Sequence, residues 1–161
     1  MTVTYDSIAT QTLGSNTATV TFSSIPATYT DLVLVMQFDK DADSGSWFRV
    51  NNDSGSNYST TDVRGNGTTA SSGRDSSATV GRYFRGLANT TANNLVIMNF
   101  MNYSNTTTYK TIISRANNAN GTEANVNLWR STSAINEINL ITSTGTYKTG
   151  STFSLYGIKA E

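Results

Sequence analysis

Glu123-Ala124-Asn125-Val126-Asn127-Leu128-Trp129, Ile135-Asn136-Glu137-Ile138-Asn139-Leu140-Ile141-Thr142 and Ser151-Thr152-Phe153-Ser154-Leu155-Tyr156-Gly157-Ile158-Lys159 decide the fold class. In the middle run Ile138 and Leu140 fall on one face of an extended chain, with Glu137 and Asn139 on the other. In the last run Phe153 and Leu155 alternate with Ser154, Tyr156 and Ile158. A period of two is the pleat of a β-strand. The last strand is apolar on both faces, which predicts a position inside a sheet with a cover on each side. Between these two runs, Gly145 and Gly150 bracket a polar stretch that predicts a hairpin loop.

Working outward, Ala18, Val20 and Phe22 alternate with Thr19, Thr21 and Ser23, and Pro26 closes that strand because proline cannot donate to a ladder. Leu32-Val33-Leu34-Val35-Met36-Gln37-Phe38 is nearly continuous in apolar character and predicts a sheet centre buried on both faces. Further strands are predicted over 47–50, 82–87, 95–101 and 108–115, with a weak edge strand over 3–13 that doubles as a candidate N-terminal arm (1–14) ordered on assembly. From 51 to 79 the pattern dissolves into Gly, Ser, Asn, Asp and Thr, which predicts a long polar loop. The sum is a single all-β domain over 1–161, a jelly-roll-like antiparallel β-sandwich of about nine to ten strands.

Composition agrees. Ser, Thr and Asn make up about two-fifths of the chain, yet eight Tyr, six Phe and two Trp sit among Val, Ile and Thr runs. Disordered chains lack such aromatic and β-branched content. Eleven basic residues balance eleven acidic ones, so no net field draws the chain to nucleic acid or to an anionic membrane. There is no Cys, hence no disulfide and no thiolate metal site. The opening Met1-Thr2-Val3-Thr4-Tyr5-Asp6 has neither the basic nor the apolar segment of a signal peptide, so a product made and kept in the cytoplasm before assembly is expected.

Three stretches resemble small virion proteins of tailed bacteriophages. One runs from Tyr5-Asp6-Ser7-Ile8-Ala9-Thr10 to Val20-Thr21-Phe22-Ser23-Ser24-Ile25-Pro26-Ala27-Thr28-Tyr29-Thr30-Asp31-Leu32. Another is Phe48-Arg49-Val50-Asn51-Asn52-Asp53 with Asn57-Tyr58. The third is Gly150-Ser151-Thr152-Phe153-Ser154-Leu155-Tyr156-Gly157-Ile158-Lys159. The resemblance implies a β-sandwich module of a phage particle, a capsid decoration (cement) protein or a tail-fibre or spike tip. It further implies a homo-oligomer, a trimer by family look, with the major capsid protein or other virion proteins as partners. For a fibre tip, the partner is a host surface polysaccharide. No catalytic residue is implied.

The residues point the same way on catalysis. With no His in the chain, Ser-His-Asp and Cys-His arrangements are ruled out. No phosphate-cradling Gly-Lys-Ser/Thr loop occurs. A non-enzymatic protein without a cofactor is therefore expected. Asp39-Lys40-Asp41-Ala42-Asp43-Ser44-Gly45 is the nearest approach to a metal motif, since alternating Asp supplies hard oxygens for Ca²⁺. Its Gly falls one position late for an EF-hand loop and Val50 stands where the closing Glu belongs, so the acidic run reads as a turn. Arg64, Arg74, Arg82 and Arg85 make the polar segment and its return mildly basic, a candidate arm onto a neighbouring subunit. Alternatively, Tyr58, Tyr83 and nearby Asn side chains form a saccharide-binding edge. Trp129 and Arg130 are further interface candidates, because both residue types are enriched at interface hot spots.

Overall fold

A computed structural model describes residues 4–85 and 93–159. These form twelve strands and no helix. They are β1 (Tyr5–Thr12), β2 (Thr19–Phe22), β3 (Asp31–Phe38), β4 (Ser46–Val50), β5 (Tyr58–Gly65), β6 (Ala70–Ala78), β7 (Gly81–Phe84), β8 (Asn94–Met101), β9 (Lys110–Asn118), β10 (Gly121–Trp129), β11 (Ile138–Thr142) and β12 (Thr152–Ile158). The predicted 82–87 strand is seen as β7; its positions 86 and 87 lie outside the described residues, as do 1–3 of the proposed arm.

The topology follows from rolling up one long antiparallel hairpin. β1 pairs with β12, β2 with β11, β3 with β8 and β4 with β7. The strip then curls so that β12 meets β3 and β11 meets β4. That is a jelly roll, with β1-β12-β3-β8 in one sheet and β2-β11-β4-β7 in the other. Two inserted hairpins, β9–β10 and β5–β6, extend the first sheet beyond β8, giving eight strands against four.

The core lies between the sheets. Leu32, Leu34, Met36 and Phe38 of β3 face inward with Val96, Met98 and Phe100 of β8 and Phe153 and Leu155 of β12. Against them pack Val20 and Phe22, Phe48 and Val50, and Ile138 and Leu140 from the smaller sheet. Phe38 meets the rings of Tyr147 edge-on at 5.4 Å and Phe153 stacked at 6.2 Å.

Four sequence expectations change. The 51–79 segment is largely a hairpin, β5 and β6, held in register against β10. Its inward positions Thr60 and Asp62 face polar partners, so apolar alternation is missing although the chain is extended. With this hairpin the strand total is twelve rather than nine or ten. The 143–151 stretch is a crossover, because β11 and β12 lie in different sheets. Tyr147 carries it through the core, bridging Thr17 and Lys40 and hydrogen-bonding to the Tyr83 hydroxyl. The edge strand expected over 3–13, by contrast, is present as β1, at one edge of the large sheet and paired along its length with β12. Last, the described residues place no second layer over the outer faces of β3 and β12: Val33 is buried there, but Val35, Ser154, Tyr156 and Ile158 are only partly buried and Gln37 is exposed.

Candidate functional site: the outer face of the large sheet

The key element is β10. Its apolar residues Ala124, Val126 and Leu128 point away from the core, while Glu123, Asn125 and Asn127 point into it. The buried polar set grips the backbone of β7. Asn127 Oδ1 accepts from Arg82 N at 2.9 Å and its Nδ2 donates to Arg82 O at 2.9 Å. Asn125 Nδ2 donates to Tyr83 O at 3.2 Å, and Glu123 Oε1 accepts from Arg85 N at 2.7 Å. Side chains two residues apart thus stand in for a strand and join the two sheets where the core runs out. Asn127 is satisfied at both ends of its amide, which lets it sit here, whereas Asn125 uses its Nδ2 alone and its Oδ1 has no partner.

Next to this zipper lie the arginines. Arg85 Nε donates to Asp62 Oδ1 at 2.6 Å and its second arm to Asp75 Oδ2 at 2.6 Å. Arg82 also pairs with Asp75, and stacks over the Trp47 ring at 5.4 Å. Arg64 Nε lies 2.9 Å from Asp62 Oδ2. Burial works against the Asp75 carboxylate, but hydrogen bonds from Arg82 and Arg85 hold it below the ordinary range. Arg82 and Arg85 therefore pin the β5–β6 hairpin to β7 from within the chain, whereas Arg64 pairs with Asp62 inside β5 itself. Arg74 differs: it stands exposed on the outer face, opposite Thr61.

Trp129 and Arg130 also have internal tasks. Trp129 is buried and donates from Nε1 to Asp53 Oδ2 at 2.7 Å. Arg130 donates to Ser59 Oγ at 2.5 Å and Ser56 O at 2.9 Å, fastening the turn before β5. Tyr58 and Tyr83 are completely buried, so they offer no saccharide platform.

The acidic run is a structural turn. Asp41 clasps Thr146 through both oxygens, at 2.6 Å to its N and 2.6 Å to its Oγ1. That hydrogen bonding leads the causes that lower the Asp41 pKa. Asp39 takes Lys148 N on its carbonyl, and Lys40 is buried, donating to Gly45 O and Ser46 Oγ at 3.3 Å each. Among the described residues no group of three acidic side chains, Asp39, Asp41 and Asp43 included, is placed to hold a metal ion.

What remains open is the outer face of the eight-stranded sheet. In register across it run Tyr156, Val33, Asn99, Ile113, Val126, Thr61 and Arg74. The adjacent row holds Ser154, Val35, Ile97, Arg115, Ala124 and Val63. Tyr5 (56% exposed), Val63 (59%), Leu95 (41%), Met101 (46%) and Val126 (52%) all lie on this face. A groove of about 450 Å³ crosses it, floored by Val33 and Ile113 and walled by Tyr5, Met101 and Arg115. A second of about 450 Å³ lies between Val126, Leu128 and Arg74.

None of the apolar residues of this face was expected at a site. The signal is present in the sequence: Leu95, Ile97 and Met101 alternate with Val96, Met98 and Phe100, so both faces of one strand are apolar. Periodicity alone attributes the second face to burial within the chain, and the described residues supply no layer over it. No protein-family model matches this sequence, and no curated protein does either.

Proposed function

We propose that this chain is a non-enzymatic structural protein of a tailed-phage particle, a capsid decoration or cement protein that acts by contact. The observation that carries this reading is the inverted strand β10, which buries Asn125 and Asn127 and presents Val126 and Leu128 to the outside. Exposed apolar residues gathered on one face of a sheet are characteristic of an assembly surface. Its removal from water would bind the module to its neighbours and stiffen the shell. The resemblance of three stretches to small virion proteins supplies the phage context. The chain would be made in the host cytoplasm and reside in the particle.

A second reading, a tail-fibre or spike module for host polysaccharide, draws on the groove where the exposed Tyr5 ring stands near Asp31, Asn99 and Arg115. Quantitative mass spectrometry of purified particles separates the two. Hundreds of copies per particle are expected for decoration, a few dozen or fewer for a fibre component. Complete absence from particles would overturn both.

A further inference from the structure

We propose that the outer face of the eight-stranded sheet is covered by a second copy of this chain, packed face to face about a two-fold axis. This rests on the reading of that face as an assembly surface and names its occupant.

Among the described residues, the edges of the large sheet and the outer face of the small sheet are less suited to such growth. Both edges of the large sheet are bulged: β1 slips register between Ser7 and Ala9, and β6 carries Ser77 in the left-handed region at φ 54°. Bulged edges twist away from edge-to-edge pairing. On the outer face of the small sheet, the side chains largely interact within the chain, although Asn139 Oδ1 and Trp47 Nε1 have no hydrogen-bond partner. Asn139 donates to Thr21 and Glu137, Arg49 donates to Thr79 O, and Arg82 covers Trp47.

The size of the open face fits a pair. Eight strands at about 4.8 Å spacing, each contributing about seven residues of about 3.4 Å, span about 900 Å². A stable interface needs about 800 Å² from each partner. Charge points to a like partner too. Within the strands of this face the charged residues are Asp31, Arg74 and Arg115, so the surface selects no strongly charged counterpart. The face carries both relief and recess, as a self-complementary pair needs: Val126 and Val63 protrude, while Val33 (7% exposed) lines a groove on the same face. Two such sheets stack about 10 Å apart with side chains interdigitated, like the sheets inside the sandwich. A trimer, by contrast, brings two unlike surfaces together, whereas one self-complementary face closes as a dimer.

Sedimentation equilibrium of the full chain tests this. A dimer is expected for the wild type, and Val126→Arg and Val63→Arg should each weaken it on the order of 100-fold by burying an unpaired charge. Both positions are exposed, so the strand signature in circular dichroism should not change. Because the chain has no cysteine, a spin label on Met101→Cys reports the pairing directly, with intermolecular dipolar coupling expected in the dimer. A wild-type monomer at high concentration, a trimer, or a dimer that survives both arginines overturns the proposal. If a monomer is found whose arginine variants are lost from particles, another virion protein occupies the face; this inference then fails and the virion reading stands. A dimer that never enters particles gives the reverse result.

Discussion

The side-chain amide of Asn127 pairs with the backbone of Arg82 at both ends, accepting from its N–H and donating to its C=O at 2.9 Å each. One side chain thereby reproduces a rung of a β-ladder between two sheets. Thr60 Oγ1 adds a third bond, donating to Asn127 Oδ1 at 2.6 Å. Asn127→Leu, close in volume, should leave these partners unsatisfied in the interior. We expect a loss of about 3 kcal/mol in urea unfolding. A loss below about 0.5 kcal/mol would mean that water or a neighbour replaces the amide.

Tyr83 and Tyr147 share a hydrogen bond in the core, and both are fully buried. The Tyr83 hydroxyl also interacts with Ser46. Removing the Tyr147 hydroxyl therefore leaves Tyr83 a partner, whereas removing the Tyr83 hydroxyl strands Tyr147. Tyr83→Phe should be the costlier single change, by about 1 kcal/mol, and the double variant should be more stable than Tyr83→Phe alone. Equal single costs with simple additivity in a double-mutant cycle would contradict the pairing.

Lys40 is buried, and that burial pushes its ammonium pKa down to about 8, with Asp43 and Asp41 pulling the other way. Its ordinary value is 10.5. Between these two values the unfolded chain holds a proton that the folded chain has released, so stability from this group rises with pH across that window. Below pH 8 both states are protonated and the slope disappears. Urea midpoints of wild type and Lys40→Met, followed from pH 7.5 to 10, should diverge in favour of the wild type as pH rises. Tyrosine ionisation is common to both chains and cancels in the comparison.

Asp53 works in the opposite sense. Burial raises its pKa, but hydrogen bonds from Trp129, Asn57 and the Gly55 N–H outweigh it and hold the carboxylate below its ordinary 3.8. A lowered folded value contributes stability above the unfolded value, and that contribution is lost as pH falls through the folded one. Asp53→Asn should therefore be destabilised at pH 6–7, and the gap to wild type should close below about pH 4. A gap that is constant with pH would assign the loss to packing.

The jelly roll was legible wherever one face of a strand meets the apolar core. Phe153 and Leu155, Ile138 and Leu140, and the run from Leu32 to Phe38 each announce their strand by period or by apolar density. The β5–β6 hairpin was illegible by hydrophobicity, since Thr60 faces the Asn127 amide and Asp62 faces Arg85 instead of carbon. Its turn signal was nevertheless there: in the loop 66–69, Asn66 Oδ1 accepts from Thr68 N and Thr69 N as an Asx turn does, and Gly67 takes the positive φ of 88°. The polarity of β10 could not be assigned from sequence, because alternation gives two faces and not which one is inside. Only the zipper to β7, built from residues some 40 positions away in the chain, places Asn125 and Asn127 inward.

The pairing of β1 with β12 sets Tyr5 beside Ile158, and Lys159 N donates to Thr4 O. The first and last of the described residues thus lie together at one corner of the large sheet. A domain threaded this way can be grafted into a loop of another protein, or relinked end to end and reopened elsewhere, without disturbing either sheet. Any cargo tethered there would hang at the Tyr5 rim of the apolar face, so the same module offers both a docking surface and a display point beside it.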